Sequence, residues 1–123
     1  MLGSAKVMAF VATADPVKAK DFYGGIVGLR LVSDDAFALV FDGNGTMLRV
    51  QKVDRVVPAH YTALGWEVRD IRTAVRELAG KGLSFVRIEG FGPDALGIWT
   101  APDGTRVAWF KDPDGNILSL TEF

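Results

Sequence analysis

The first half of the chain combines apolar, β-compatible runs with one segment whose apolar residues have helical spacing. Residues 7–13 are apolar and β-compatible, which predicts a strand. Asp15-Pro16 then provides a helix N-cap and a first-turn proline, and Gly28 provides a helix end. The apolar face of this predicted helix consists of Ala19, Phe22, Tyr23, Ile26 and Val27. The strands predicted after it are residues 29–32, 36–41 and 46–52.

The same order of elements recurs in the second half. Residues 61–68 predict a strand, Asp70 an N-cap, and Gly82 a helix end. The apolar positions between these two signals again have helical spacing, at Ile71, Ala74, Val75, Leu78 and Ala79. The predicted strands that follow are residues 84–88, 97–100, 106–111 and 117–122.

The pattern therefore predicts a β-α-β-β-β module written twice, over residues 5–52 and 60–123. Residues 51–60, which contain Pro58, form the predicted linker between the modules. Neither half has enough helix to cover a sheet alone, so we expect one domain over residues 1–123. A Pro113-Asp114-Gly115-Asn116 turn between two apolar runs predicts the hairpin that closes the second module.

Two stretches of this repeat carry a family resemblance. One runs from Asp15 through Phe22-Tyr23 to Gly28-Leu29, and the other is Trp109-Phe110-Lys111-Asp112-Pro113-Asp114-Gly115-Asn116. Together they resemble the vicinal oxygen chelate superfamily, which comprises glyoxalase, bleomycin-resistance and extradiol-dioxygenase proteins. The resemblance implies an α+β fold, in which two βαβββ modules form a cupped mixed sheet, and it implies a homodimer.

Composition and charge narrow the remaining classes. A net charge of −1 with a pI near 5.7 gives no sign of a nucleic-acid partner. There is no cysteine, which excludes disulfides, thiolate metal sites and a cysteine nucleophile. No apolar run approaches the roughly 20 residues of a membrane span, and no signal peptide is recognised. We therefore expect a cytoplasmic protein that has no membrane partner.

The resemblance also implies where a metal would bind. Metalloenzymes of this superfamily take one ligand, mostly His or Glu, from the first and last strands of each module. The corresponding positions here are Met8, Arg49, Ala63 and Ser119. None of these side chains suits a hard divalent cation, so we expect no metal site and no other cofactor.

Strand alternation decides whether nearby residues could replace those ligands. His60, the single histidine, and Glu122 are each three positions from Ala63 and Ser119, respectively. Both should face away from the cup unless a bulge intervenes. His60 is expected to be solvated or at a dimer contact.

The side chains left in the predicted cup suit an organic ligand. Alternation places apolar and polar residues there, and two tryptophans could supply stacking surface. Met8 and Phe10 could pack in the core instead of contacting a ligand. Arg49 and Glu67 could form an ion pair with each other instead of binding a ligand. Residues 89–97 are expected to form either a lid or a surface loop. The candidate ligand-binding residues are Met8, Phe10, Met47, Arg49, Glu67, Trp99, Trp109 and Ser119.

Three functions remain open from the sequence. The first hypothesis is a metal-free binding protein, resembling the bleomycin-resistance branch, that sequesters an aromatic or planar organic molecule. The alternative is a metal-dependent glyoxalase-like lyase or an extradiol-dioxygenase-like enzyme. The third is a metal-free isomerase or lyase that uses Glu67 as its general base. No catalytic residue other than Glu67 can be named.

Overall fold

A computed structural model describes residues 1–123 in full. Residues divide into two compact units, Met1–Val57 and Pro58–Phe123, each with its own four-stranded sheet. Neither helix has the length and hydrophobicity of a transmembrane span. The strands of the first unit are β1 (Met8–Thr13), β2 (Arg30–Asp34), β3 (Ala38–Gly43) and β4 (Thr46–Lys52), with helix α1 at Pro16–Lys20. The second unit contains β5 (Thr62–Glu67), β6 (Ile98–Thr100), β7 (Arg106–Lys111) and β8 (Ile117–Glu122), with helix α2 at Ile71–Gly80.

Both sheets have the same mixed topology. In the first, the order is β1-β4-β3-β2, with β1 parallel to β4 and antiparallel pairs elsewhere. In the second, the order is β5-β8-β7-β6, with β5 parallel to β8. The predicted α+β class and the repeated βαβββ modules are thus confirmed.

Helix α1 is shorter than its hydrophobic pattern predicts. Asp15 caps it, because its carboxylate accepts a hydrogen bond from the Lys18 amide at 3.2 Å. From Asp21–Ile26 the chain continues as a π-helical turn, in which the Val27 amide donates to the Phe22 carbonyl at 2.9 Å. Adjacent glycines at 24 and 25 weaken α-helical geometry there, so wider winding costs little.

The helix of each unit covers one face of its sheet. In the first unit, Tyr23 packs against Phe41, with ring centroids 6.0 Å apart, and both residues are fully buried. In the second, α2 contacts β7 and β8. Phe110 lies in that core between Phe85 and Trp66, at centroid distances of 5.6 and 6.1 Å. Each sheet therefore keeps a second face without a helix, called the open face below.

The strand predicted at residues 84–88 is absent, and that prediction is wrong. Only one bridge forms, in which the Val86 amide donates to the Trp109 carbonyl at 2.8 Å. Strand β6 already pairs with the neighbouring part of β7, where Ile98 lies opposite Ala108. Because a strand edge can be paired only once, β6 leaves room for a single bridge to Val86.

The closing hairpin forms at the predicted turn. Gly115 takes a positive φ of 87°, and its amide donates to the Asp112 carbonyl at 3.0 Å. The buried Asp112 carboxylate accepts hydrogen bonds from the Asp114 amide, the Asn116 amide and the Asn116 side chain. This turn fixes the register between β7 and β8, and therefore the position of Trp109 opposite Ser119.

Candidate functional site

Four of the predicted ligand-binding residues lie on the open face of the first sheet. Met8 is paired with Met47, and Phe10 with Arg49, in the register of β1 and β4. Directly paired residues present their side chains on the same face of a sheet. Met8, Phe10 and Met47 remain 47%, 50% and 41% exposed. The structure thus groups these four residues and leaves their apolar surface accessible within this unit.

A cavity of about 300 Å³ lies at one end of this open face. Met8 and Met47 line it, together with Lys6 and the ion pair between Arg30 and Asp42, whose N–O distance is 3.7 Å. Its lining is therefore mixed, with flexible methionines beside exposed charges.

Arg49, half-buried, stands beside an acidic loop. Hydrogen bonds from the Phe37 and Ala38 amides lower the pKa of Asp35, and the charge of Arg49 adds to the effect. Arg49 therefore has a carboxylate within its own unit that it can interact with. An ion pair with Glu67, one of the two alternatives that the sequence left open, is not needed to account for the charge of Arg49.

The other candidates lie on the open face of the second sheet. Gly65, Ser119 and Trp109 are directly opposite one another on adjacent strands. One row further along, Glu67 is opposite Thr121, and Trp99 occupies the other edge of the same row. This sheet therefore offers an aromatic side, formed by the two tryptophans, and an acidic side at Glu67.

Three rings form a contiguous cluster on the aromatic side. Phe91 is 4.7 Å from Trp99 and 5.4 Å from Trp109, and the two indoles are 6.0 Å apart, measured between centroids. The indole N–H of Trp109 donates to the Thr62 hydroxyl at 3.2 Å, which fixes the ring. Phe91, Trp99 and Trp109, the aromatic cluster, are all only half-buried. Rings held in place yet partly exposed can stack on a ligand.

A hollow of about 230 Å³ adjoins the aromatic cluster. Phe91 and Trp109 line one side, and Ile88 and Ile117 add apolar surface. The polar groups come from the segment His60, Tyr61 and Thr62.

The presence of His60 in this hollow was missed from the sequence. Strict alternation turns it away, but Thr62 pairs with Ile117 and Leu64 with Leu118, so the pairing register shifts at Ala63. One extra residue in a strand reverses the facing of everything before it. From the sequence, His60 faces the cup only if a bulge intervenes, and no residue in that stretch signals where a bulge lies.

A flat floor extends from the cluster across the open face. A Cβ atom on Gly65 would lie 2.7 Å from the Ser119 hydroxyl oxygen, so no larger side chain fits unless Ser119 moves. Ser119 itself is 6% exposed. Next to Trp109 on this face, Ser119 on β8 therefore presents only a hydroxyl, and Gly65 on β5 presents only backbone.

Comparison with known proteins identifies the family. The model of the Glyoxalase/Bleomycin resistance protein/Dioxygenase superfamily matches residues 6–120. The chain belongs to this superfamily. No curated protein matches it with significant sequence similarity.

Solved structures of the superfamily share the fold over nearly the whole chain. A superfamily member from Sphaerobacter thermophilus is 26% identical, with a TM-score of 0.72, over 95% of this chain and 97% of that one. The lactoylglutathione lyase of Agrobacterium tumefaciens is 18% identical, with a TM-score of 0.72, over 97% and 93% of the two chains. TioX from Micromonospora has the same identity and TM-score, over 97% and 98%.

The residues at the metal-ligand positions that the superfamily implies are not suited to bind a metal ion. The structure contains no group of three His, Cys, Asp or Glu side chains placed to hold an ion. At the implied positions, Met8 and Arg49 lie on the open face of the first sheet, and Ala63 and Ser119 lie on β5 and β8. A thioether, a guanidinium, a methyl group and a hydroxyl do not make a donor set for a divalent cation. Glu122 faces Arg106 at an N–O distance of 3.9 Å, and Glu67 stands alone among non-acidic neighbours in its row.

Proposed function

We propose that this protein binds a planar aromatic organic molecule without a metal ion and sequesters it. The observation that carries the proposal is the aromatic cluster, which is half-exposed beside a hollow. A fully buried trio of rings would be explained by core packing, and a scattered one by chance exposure. Three contacting rings, with one indole fixed by Thr62, supply a preformed stacking surface instead.

Each group around the cluster has a role in this proposal. Trp109 stacks on the ligand, since its ring lies at the boundary of the hollow. The His60 imidazole supplies a hydrogen bond to a polar substituent on the ligand. The floor of Gly65 and Ser119 admits the ligand's edge, because no side chain rises from it. Glu67 orients a ligand that extends across the face.

The open face of the first sheet supports binding of apolar molecules as well. Met8 and Met47 are flexible and polarisable and adapt to differently shaped partners. Phe10 adds an aromatic ring, and Arg49 adds a charge that can orient a ligand. We further propose that the protein is cytoplasmic and that it is a homodimer. The dimer is supported by the exposed apolar residues on this sheet face, which favour association. Light scattering after size-exclusion chromatography tests this: a molar mass of one chain refutes it.

Two planar aromatic probes of opposite charge test the binding proposal. Proflavine, a cation, and anthraquinone-2-sulfonate, an anion, are titrated into the protein by calorimetry. We expect at least one to bind at one site per chain and Trp109→Ala to weaken it about tenfold, the equivalent of one lost stacking contact. Trp66→Phe is the matched control, because Trp66 packs beside Phe110 in the helix-covered core. Equal affinity in wild type and Trp109→Ala refutes the proposal.

Metal analysis of the purified protein tests whether binding occurs without a metal ion. Purified protein is analysed for nickel, zinc, manganese and iron, before and after dialysis against a chelator. We expect far less than one metal ion per chain. A near-stoichiometric metal that is lost in Glu67→Gln would overturn the metal-free proposal in favour of a glyoxalase-like lyase or a dioxygenase-like enzyme.

A further inference from the structure

The second unit has a groove on the side of the sheet opposite the aromatic cluster. It measures about 390 Å³ and runs between α2 and residues 83–97. Val75 and Phe85 line it, and Phe85 packs against the core ring of Phe110. Trp109, by contrast, lies on the open face. The groove is therefore separate from the hollow of the proposed ligand site, and we call it the α2 groove.

The floor of the α2 groove is apolar because of the spacing along α2. Val75 and Ala79 are four residues apart, so they lie one turn above the other on the same side of the helix. Val75 is buried, whereas Ala79 is exposed and too small to fill the space above it. Leu83, Phe85 and Leu96 complete the apolar surface.

Two arginines line this apolar floor, and no acidic residue lines it. Arg76 follows Val75 on α2, and Arg87 stands on the opposite wall. The Arg87 guanidinium donates to the carbonyls of Pro93 and Asp94, each at 3.3 Å, which holds it in place. Those two bonds leave further N–H donors on the same guanidinium.

The nearby carboxylate of Asp94 is already engaged elsewhere. It accepts hydrogen bonds from the amides of Leu96 and Ile98, at 2.9 and 3.0 Å. Its second oxygen is 3.9 Å from Arg72, which is not in the groove. The Asp94 carboxylate therefore interacts with the backbone of its own loop and with Arg72.

We propose that the α2 groove binds an amphipathic organic anion, a carboxylate that carries a medium-length hydrocarbon chain. The carboxylate lies between Arg76 and Arg87, where planar guanidinium groups favour it. The hydrocarbon lies along Val75, Ala79 and Leu83. The volume of the groove is in the range of small-molecule sites, which start at about 300 Å³, and its charge is opposite to that of the ligand.

The probe for this site is decanoate, titrated below its micelle concentration into ¹⁵N-labelled protein. We expect amide shifts in two segments, residues 75–85 and residues 95–97, with little change near Trp109. Decanol, which has the same chain without the charge, should bind about tenfold more weakly, because a charge-assisted hydrogen bond is lost. Equal binding of decanol and decanoate would overturn the proposal, as would shifts confined to the open face.

Two variants examine the two halves of the site. Arg76→Gln removes one cation and should weaken decanoate binding about tenfold, whereas Arg55→Gln, in the other unit, makes the same change in net charge and should not. Ala79→Phe fills the groove at an exposed position and should abolish binding while the circular dichroism spectrum is retained. Unchanged decanoate affinity in either Arg76→Gln or Ala79→Phe would refute the site. Ala79→Phe should bind proflavine or anthraquinone-2-sulfonate with wild-type affinity. The α2 groove and the aromatic-cluster site are therefore tested independently of each other.

Discussion

Replacing Asp112 by alanine removes the group that organises the closing hairpin. Asp112 is 5% exposed, and its carboxylate accepts hydrogen bonds from the Asp114 amide at 3.0 Å, the Asn116 amide at 2.9 Å and the Asn116 side chain at 2.8 Å. The two bonds from Asn116 are buried, so water cannot readily replace the lost acceptor. The substitution therefore leaves buried donors unsatisfied, in addition to removing these bonds.

The size of the effect follows from those partners. A hydrogen bond to a charged group contributes about 1.5 to 3 kcal/mol, and an unsatisfied buried donor costs about 1 to 3 kcal/mol. The Asp114 amide is only part-buried and can rebond to water. We therefore expect a loss of about 3 kcal/mol in the free energy of unfolding, or about 10 °C in Tm for a domain of this size.

Urea unfolding, followed by circular dichroism, provides the measurement. Asp112→Asn keeps one acceptor oxygen and should cost about 1 kcal/mol. Asp103→Ala is the control, because Asp103 lies in the other Pro-Asp-Gly turn, at the position of Asp114, is exposed, and accepts a backbone bond from Thr105 at 3.0 Å. A loss below about 1 kcal/mol in Asp112→Ala, or an equal loss in Asp103→Ala, would refute the reasoning.

Three further predictions concern charge, backbone and packing. The pKa of Asp34 is lowered, first by its hydrogen bond from Lys52. The ionised carboxylate therefore stabilises the fold above the unfolded pKa, and this stabilisation is lost as the pH falls through the folded pKa. Lys52→Met should make the free energy of unfolding depend less steeply on pH in the acid range. An unchanged acid profile would contradict this. Gly97→Ala should cost about 2 kcal/mol or more, because φ is +89° and its Cβ would lie 2.9 Å from that of Phe85, whereas Gly92→Ala meets no atom and should be near neutral in thermal unfolding. Phe91→Ala should reduce probe affinity and raise indole exposure to acrylamide quenching, since Phe91 contacts both Trp99 and Trp109; unchanged quenching would argue against the cluster.

Periodicity predicted the parts of this fold that depend on local chemistry. Asp15 and Asp70 cap the helices as their sequence context indicates, because a carboxylate followed by free amides has one favourable local geometry. The caps need no knowledge of distant residues. The grouping of Met8, Phe10, Met47 and Arg49 combined strand alternation with the cup positions that the family resemblance implied.

The features that sequence missed depend on competition between distant segments. Residues 84–88 have a strand-like composition, but β6 occupies the edge of β7 that they would need. The shift at Ala63 has no local signature, because alanine is compatible with a regular strand and a bulged one. Its consequence is large, since it brings His60 into the hollow beside Trp109. A candidate-site prediction that relies on alternation therefore fails wherever a register shift lies between the reference residue and the target.

The two units show which face of a repeated module is free to acquire function. The helix-covered faces are constrained alike, since Phe41 and Phe110 are both fully buried beneath their helices. The open faces differ: Met8 and Met47 are flexible and aliphatic, whereas Trp99 and Trp109 are rigid and aromatic. A face that does not build the core can change its chemistry at little cost in folding stability. The most specific recognition is therefore expected on the open face of the second unit, where the rings are already held in contact before any ligand binds.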